Sequence, residues 1–202
     1  MKTVGITGNS GSGKSLIGKY LGEKGAAIIN ADLIAAEILR PDGLAYGRFV
    51  ELFGEEYLLM DGSVDKKKLA DLIFSDSEQR ERLDKLTHPL IIERCFTLAE
   101  EAGKNGAAAV FIEAALLIES RAAERVDEIW LVTASHEQKM RRIINRDSLT
   151  EEAATKRLAA QATDQELTNK ADKIAYKIVE NNGDIKELYQ KIDALYAALL
   201  SE

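Results

Sequence analysis

Five short apolar runs punctuate the chain, at residues 3–7, 26–30, 107–112, 128–133 and 176–181. Each is too short for a stable helix and lacks polar alternation, which predicts strands buried on both faces, the habit of parallel sheets. The stretches between them carry helical spacing. Residues 14–24 follow the first run, and residues 185–200 close the chain with apolar side chains at Ile185, Leu188, Ile192, Leu195 and Leu199. Strands alternating with helices imply an α/β fold in three layers, a five-stranded parallel sheet covered on both faces. The second and third runs are separated by residues 31–106, far more than one crossover helix needs. That stretch predicts several helices, punctuated at Asp42-Gly43, Asp61-Gly62 and Thr87-His88-Pro89. A second charged helical block, residues 136–172, lies between the last two strands and has the place of a lid.

The 202 residues suit one domain with two inserts, because no repeat or low-complexity linker divides them. The core is expected at about 1–34, 87–135 and 173–202, the first insert at about 35–86 and the lid at about 136–172. With 46% hydrophobic and 30% charged residues the composition is that of a soluble globular protein. The longest apolar run, residues 107–118, is broken by Glu113 and too short for a bilayer, and no secretory signal is recognised, so no membrane partner is expected. One cysteine, Cys95, rules out an internal disulfide and fits a reducing cytoplasm. A formal charge of −7 argues against a nucleic-acid coat, while a nucleotide ligand remains allowed. The oligomeric state is left open.

The chemistry begins after the first run. Gly8-Asn9-Ser10-Gly11-Ser12-Gly13-Lys14-Ser15 matches G-x-x-x-x-G-K-[ST] in full, with a strand before it and a helix opening at Lys14. Glycines let successive amides point inward at phosphate oxygens, and the helix N-terminus adds partial positive charge. Lys14 reaches the β- and γ-phosphates, and Ser15 ligates magnesium. The loop thus predicts ATP and Mg²⁺ as cofactors. A glycine turn that merely caps a helix is the bland alternative, but so full a match arises by chance in roughly one chain in a hundred of this length.

Two classes of phosphate-loop protein compete. Asn169-Lys170-Ala171-Asp172 spells the N-K-x-D string that reads guanine in GTPase switches. It follows a polar stretch rather than a buried strand, no D-x-x-G follows the third run, and the string reads as a helix end. A kinase is favoured by the second run, which ends in Asn30-Ala31-Asp32 and sets a carboxylate at a strand's C-terminal edge, where open parallel sheets meet ligands. Asp32 there orients an acceptor hydroxyl or takes its proton. The alternative is a helix cap, a role that Asn30 can fill while Asp32 faces the ligand.

At this point the sequence resembles the dephospho-coenzyme A kinase family, nearly end to end. Gly5-Ile6-Thr7-Gly8 through Ser15 resembles its opening strand and loop, and Ile29-Asn30-Ala31-Asp32 its I-D-A-D segment. Leu86-Thr87-His88-Pro89-Leu90-Ile91 resembles H-P-L-I, and Leu116-Leu117-Ile118-Glu119 resembles P-L-L-F-E. Arg142, Arg146-Asp147, Arg157 with Gln161, Lys170-Ala171-Asp172 and Asn181-Asn182-Gly183 recur in the family's order. The resemblance implies a P-loop kinase fold with a helical acceptor-binding insert and a lid. It implies transfer of the ATP γ-phosphoryl group to the ribose 3′-hydroxyl of dephospho-coenzyme A, the last step of coenzyme A synthesis. Asn30 replaces the family's first Asp, which puts the catalytic role on Asp32; Ala115, Lys66 and Lys139 stand where proline, arginine and glutamine are common. Shikimate kinases share the loop and the acidic second strand but carry a triple glycine, and no adjacent glycines occur here. Adenylate kinases place glycine after the loop lysine, where this chain has Ser15.

Other positions carry paired expectations. Arg142 and Arg146, four apart, share a helix face and either stabilise the transferring phosphoryl as lid groups or pair with Glu137 or Asp147 in solvent. The resemblance favours the lid. His88 is a turn residue at a helix start or, by resemblance, an acceptor contact. Glu113 either holds a magnesium-bound water or seats the acceptor, or caps the next helix. Lys66, with Lys67 and Lys68, is a solvated face or meets the acceptor's pyrophosphate. Asn181 is part of a tight turn or, by family position, a loop against adenine. His136 and Cys95 are structural.

Overall fold

The computed structural model describes the backbone of every residue apart from 116, 119, 120, 172–174 and 202, and every side chain apart from these and Arg121 and Ala171. The five runs become β1 (Lys2–Thr7), β2 (Ala27–Asn30), β3 (Ala109–Glu113), β4 (Glu128–Thr133) and β5 (Tyr176–Glu180). They form one parallel sheet in the order β2-β3-β1-β4-β5. The helices are α1 (Lys14–Glu23), α2 (Ala31–Ile38), α3 (Tyr46–Phe53), α4 (Lys66–Ser75), α5 (Ser77–Lys104), α6 (His136–Asp147), α7 (Glu151–Ala159), α8 (Asp164–Ala171) and α9 (Ile185–Ser201).

The chain divides into two compact units. The first, Met1–Ile29 with Ala99–Glu202, is organised around the sheet. Val4, Ile6, Phe111, Trp130, Val132 and Val179 on one face pack with Ile17 and Leu21 of α1 and with Leu188, Ile192 and Leu199 of α9. Successive strand side chains point to opposite faces. Val110, Ile112, Ile129 and Leu131 therefore face the other way, and they are just as buried, so both faces are covered. The expected lid block is three helices, α6, α7 and α8, in this unit.

The second unit, Asn30–Leu98, has its own small core in which Phe49, Phe53, Leu69 and Leu83 are buried. The insert expected at about 35–86 lies inside it. Asp42-Gly43 and Asp61-Gly62 do fall in turns. Thr87-His88-Pro89 does not: α5 runs through it for 28 residues with Pro89 inside the helix, so His88 is no helix start. Proline deletes the amide that would bond the Lys85 carbonyl and costs roughly 3 kcal/mol in a helix interior. Packing on both sides offsets this. Leu83 and Leu86 belong to the small core, and Cys95 and Phe96 are buried further along. The Thr87 hydroxyl donates to the Leu83 carbonyl at 2.9 Å, which adds a bond one turn before the gap.

Burial pushes the Cys95 thiol up to about 11, which keeps it protonated and inert. Asn30 caps α2, its Oδ1 accepting from the amides of Asp32 at 2.9 Å and Leu33 at 3.1 Å. Asn30→Ala is expected to cost about 1 kcal/mol. In a chain of this size that is a fall of about 2–4 °C in melting temperature, checked by calorimetry.

Candidate active site

The phosphate loop leaves the central strand β1 and enters α1. Gly13, the residue at the helix start, has φ 107°, a left-handed conformation that glycine adopts without strain. A Cβ there would stand 2.2 Å from Asn181 Nδ2, so only glycine fits. Among the described residues no side chain caps α1 or α3, whereas α2, α4, α6 and α7 are capped by Asn30, Asp65, Ser135 and Thr150. An uncapped helix N-terminus on a glycine loop suits an anion. Lys14 Nζ is folded onto the loop, donating to the carbonyls of Gly8 at 2.6 Å and Asn9 at 3.2 Å.

Strand register brings the second oxygen group. Ile6 of β1 pairs with Glu113 of β3, which sets Glu113 at the C-terminal edge beside the loop. Glu113 is 5% exposed, and its Oε1 accepts from the Ser15 hydroxyl at 2.5 Å. Glu113 thus sits on the loop's serine. The Thr7 hydroxyl donates to the Ala115 carbonyl at 3.3 Å, a contact that needs only backbone at position 115.

Behind the loop stand α6 and the end of β5. Arg142 donates from Nη1 to the carbonyls of Gly11 (3.2 Å) and Ser12 (3.3 Å). Its Nη2 donates to the Asn181 carbonyl (3.0 Å) and side-chain oxygen (3.2 Å). Partial burial lowers the Arg142 guanidinium from its ordinary value. Asn181, 4% exposed, returns a bond from Nδ2 to the Ser12 carbonyl at 2.7 Å. Sequence reasoning assigns Arg142 to the transferring phosphoryl and Asn181 to adenine. In the structure both are engaged with the loop's own carbonyls and so brace the loop.

The roof of the loop was not foreseen. Asn9 Nδ2 donates to the Ala162 carbonyl at 2.8 Å and to Asp164 Oδ1 at 2.9 Å, and the Ser10 amide donates to Gln161 Oε1 at 2.9 Å. Asp164 in turn meets Lys139. The available signal was Lys139 four residues before the buried Ile143, hence on the inward face of α6.

Asp32 lies in the first turn of α2, exposed, and is not the cap. Lys66 and Lys67 are exposed at the start of α4, while Lys68 donates to the Glu56 carbonyl at 2.6 Å and lies over the Tyr57 ring. His88 Nε2 lies 3.4 Å from Asp84 Oδ1 on α5. Arg146 is bonded to Asp147 at 2.7 and 2.8 Å, and Arg157 meets the same carboxylate, so Arg146 takes the paired arrangement here. These bonds, Arg146 first, hold the Asp147 carboxyl below the usual range. Asn169 and Lys170 of the N-K-x-D string lie in α8, as a helix end rather than after a strand. Asp172, Leu116 and Glu119 of the quoted segments lie outside the described residues.

The dephospho-CoA kinase family profile matches residues 2–187. A dephospho-CoA kinase of Geobacter sulfurreducens is 38% identical over 197 residues, 98% of either chain. One of Dehalococcoides mccartyi is 40% identical over 96% of each. The solved dephospho-CoA kinase from Campylobacter jejuni superposes with a TM-score of 0.70 at 25% identity, covering 98% of this chain and 97% of its own. With the match running through the phosphate loop and all five strands, the chain belongs to the dephospho-CoA kinase family, enzymes that are ATP-dependent kinases.

Proposed function

We propose that this protein transfers the γ-phosphoryl group of ATP to the ribose 3′-hydroxyl of dephospho-coenzyme A, yielding coenzyme A in the cytoplasm. The observation that supports it best is the uncapped phosphate loop whose serine is bonded to a buried strand-end carboxylate. The loop, residues 8–15, cradles the β- and γ-phosphates with amides other than those of Ser10 and Ser12, which are bonded within the protein, and Lys14 exchanges its loop carbonyls for phosphate oxygens. Ser15 and Glu113 are an oxygen-only pair of the kind magnesium takes together with phosphates. They would hold that ion, which when bound neutralises charge on the β- and γ-oxygens. Asp32 orients the acceptor hydroxyl and accepts its proton. Arg142 and Asn181 keep the loop in its anion-binding form, and Arg146 reaches ATP once released from Asp147. Lys66 and His88 serve the acceptor, Lys66 at its pyrophosphate. The lid helices exclude water, which would otherwise waste ATP.

Labelled ATP offered with dephospho-coenzyme A, shikimate and nucleoside monophosphates tests the reading. Phosphorylation of dephospho-coenzyme A is expected to exceed the others by about a hundredfold or more in kcat/KM. Preference for another acceptor, or hydrolysis that no acceptor accelerates, would overturn it.

A further inference from the structure

Helix α6 touches the phosphate loop with its backbone. A Cβ added at Gly11 would stand 2.6 Å from the Lys139 carbonyl oxygen and 3.0 Å from Lys139 Cα. The Lys139 side chain does not turn away to solvent. The residue is 8% exposed, and its Nζ donates to both Asp164 oxygens at 3.0 Å. Asp164 Oδ1, at the start of α8, also accepts from Asn9 in the loop, and Asn9 and Ser10 hold Ala162 and Gln161 of the linker just before that helix.

Two physical costs meet here. An ammonium this buried is unfavourable unless it is paired. A carboxylate bonded to a phosphate-binding loop repels the phosphates unless its charge is cancelled. Each group relieves the other. Asp164 fixes Asn9 and so joins the lid linker to the loop, and Lys139 removes the charge that this join would bring to the ATP site.

We infer that Lys139 and Asp164 form a charge-compensated latch that positions the phosphate loop through Asn9 and sets its affinity for ATP. They are positioning residues, since neither is aimed at the reacting atoms. The inference rests on the reading that the loop holds ATP phosphates.

The test is ATP titration without acceptor, beside steady-state kinetics and thermal melting of the full chain. Lys139→Met leaves Asp164 uncompensated, and the Kd and KM for ATP are expected to rise about tenfold while kcat changes less than about threefold. Adding Asp164→Asn to Lys139→Met removes the stray charge and keeps an oxygen acceptor for Asn9. Affinity should then return to within about threefold of wild type although melting stays lowered. A pair that serves stability alone predicts the reverse, a lower melting temperature with unchanged Kd below the transition. An unchanged Kd in Lys139→Met, or one the second substitution does not improve, overturns the latch. Should Lys139→Met not fold, Lys139→Gln, which keeps a donor without the charge, carries the same expectation. Failure of the wild type to bind ATP would overturn the loop reading itself, whereas normal wild-type binding with an unaffected variant overturns only the latch.

Discussion

Replacing Lys14 by alanine is expected to lower phosphoryl transfer by about a thousandfold or more while the protein stays folded. The loop amides turn several dipoles toward the phosphates, but Lys14 is the full positive charge within the motif. Charge grows on the transferring oxygens in the transition state, so losing that ammonium raises the barrier more than it weakens ATP binding. Its two bonds to the carbonyls of Gly8 and Asn9 are lost as well. Each contributes about 1 kcal/mol, and the loop keeps its braces from Arg142 and Asn181. Steady-state transfer with labelled ATP, beside a melting curve, checks both halves. Turnover within tenfold of wild type in a folded Lys14→Ala protein would remove the loop from the catalytic site.

Asp32→Asn is expected to cost about a hundredfold or more in transfer to dephospho-coenzyme A, with ATP affinity and melting temperature close to wild type. The side chain is exposed, and the α2 cap belongs to Asn30, so the substitution leaves the cap untouched. What goes structurally is one negative charge in the first turn of a helix, about 0.3–1 kcal/mol. What goes chemically, on the proposed reading, is the carboxylate that accepts the acceptor's proton. Acceptor-independent ATP hydrolysis supplies the control, because water needs no help from this group. A variant with full transfer activity refutes the catalytic role, and a collapse in melting temperature makes Asp32 structural.

The cap also suits asparagine at position 30, where the resemblance leads one to expect aspartate. An N-cap works through a neutral oxygen as well as a charged one, so position 30 tolerates the amide while position 32 keeps its acid.

Much of this was legible because short-range physics set it. The strands were readable as unbroken apolar runs, and residues 128–133 emerged with the expected bounds. The loop was readable because its glycine spacing is local. Pro89 misled because its cost is local while the packing of Leu83 and Phe96 that offsets it is not. The Lys139–Asp164 pair joins residues 25 apart, and the Arg142 contacts reach 131 positions back, so no window of sequence contains them. For the same reason Arg142 could be located on its helix face but not matched to its partners.

The bond from Asn181 to the Ser12 carbonyl spans 169 residues. The loop therefore leaves the ribosome long before the residue that completes it. Chains emerge N-terminus first at about 5–20 residues per second, so for many seconds the nascent loop exists without the strand that braces it. A nucleotide stabilises only what it binds, so ATP cannot assist the early steps and acts instead as a seal on the completed chain. Truncation before β5 thus removes more than an edge strand: it leaves an intact phosphate motif without the Asn181 bond to the Ser12 carbonyl, braced only from α6 and the segment 161–164.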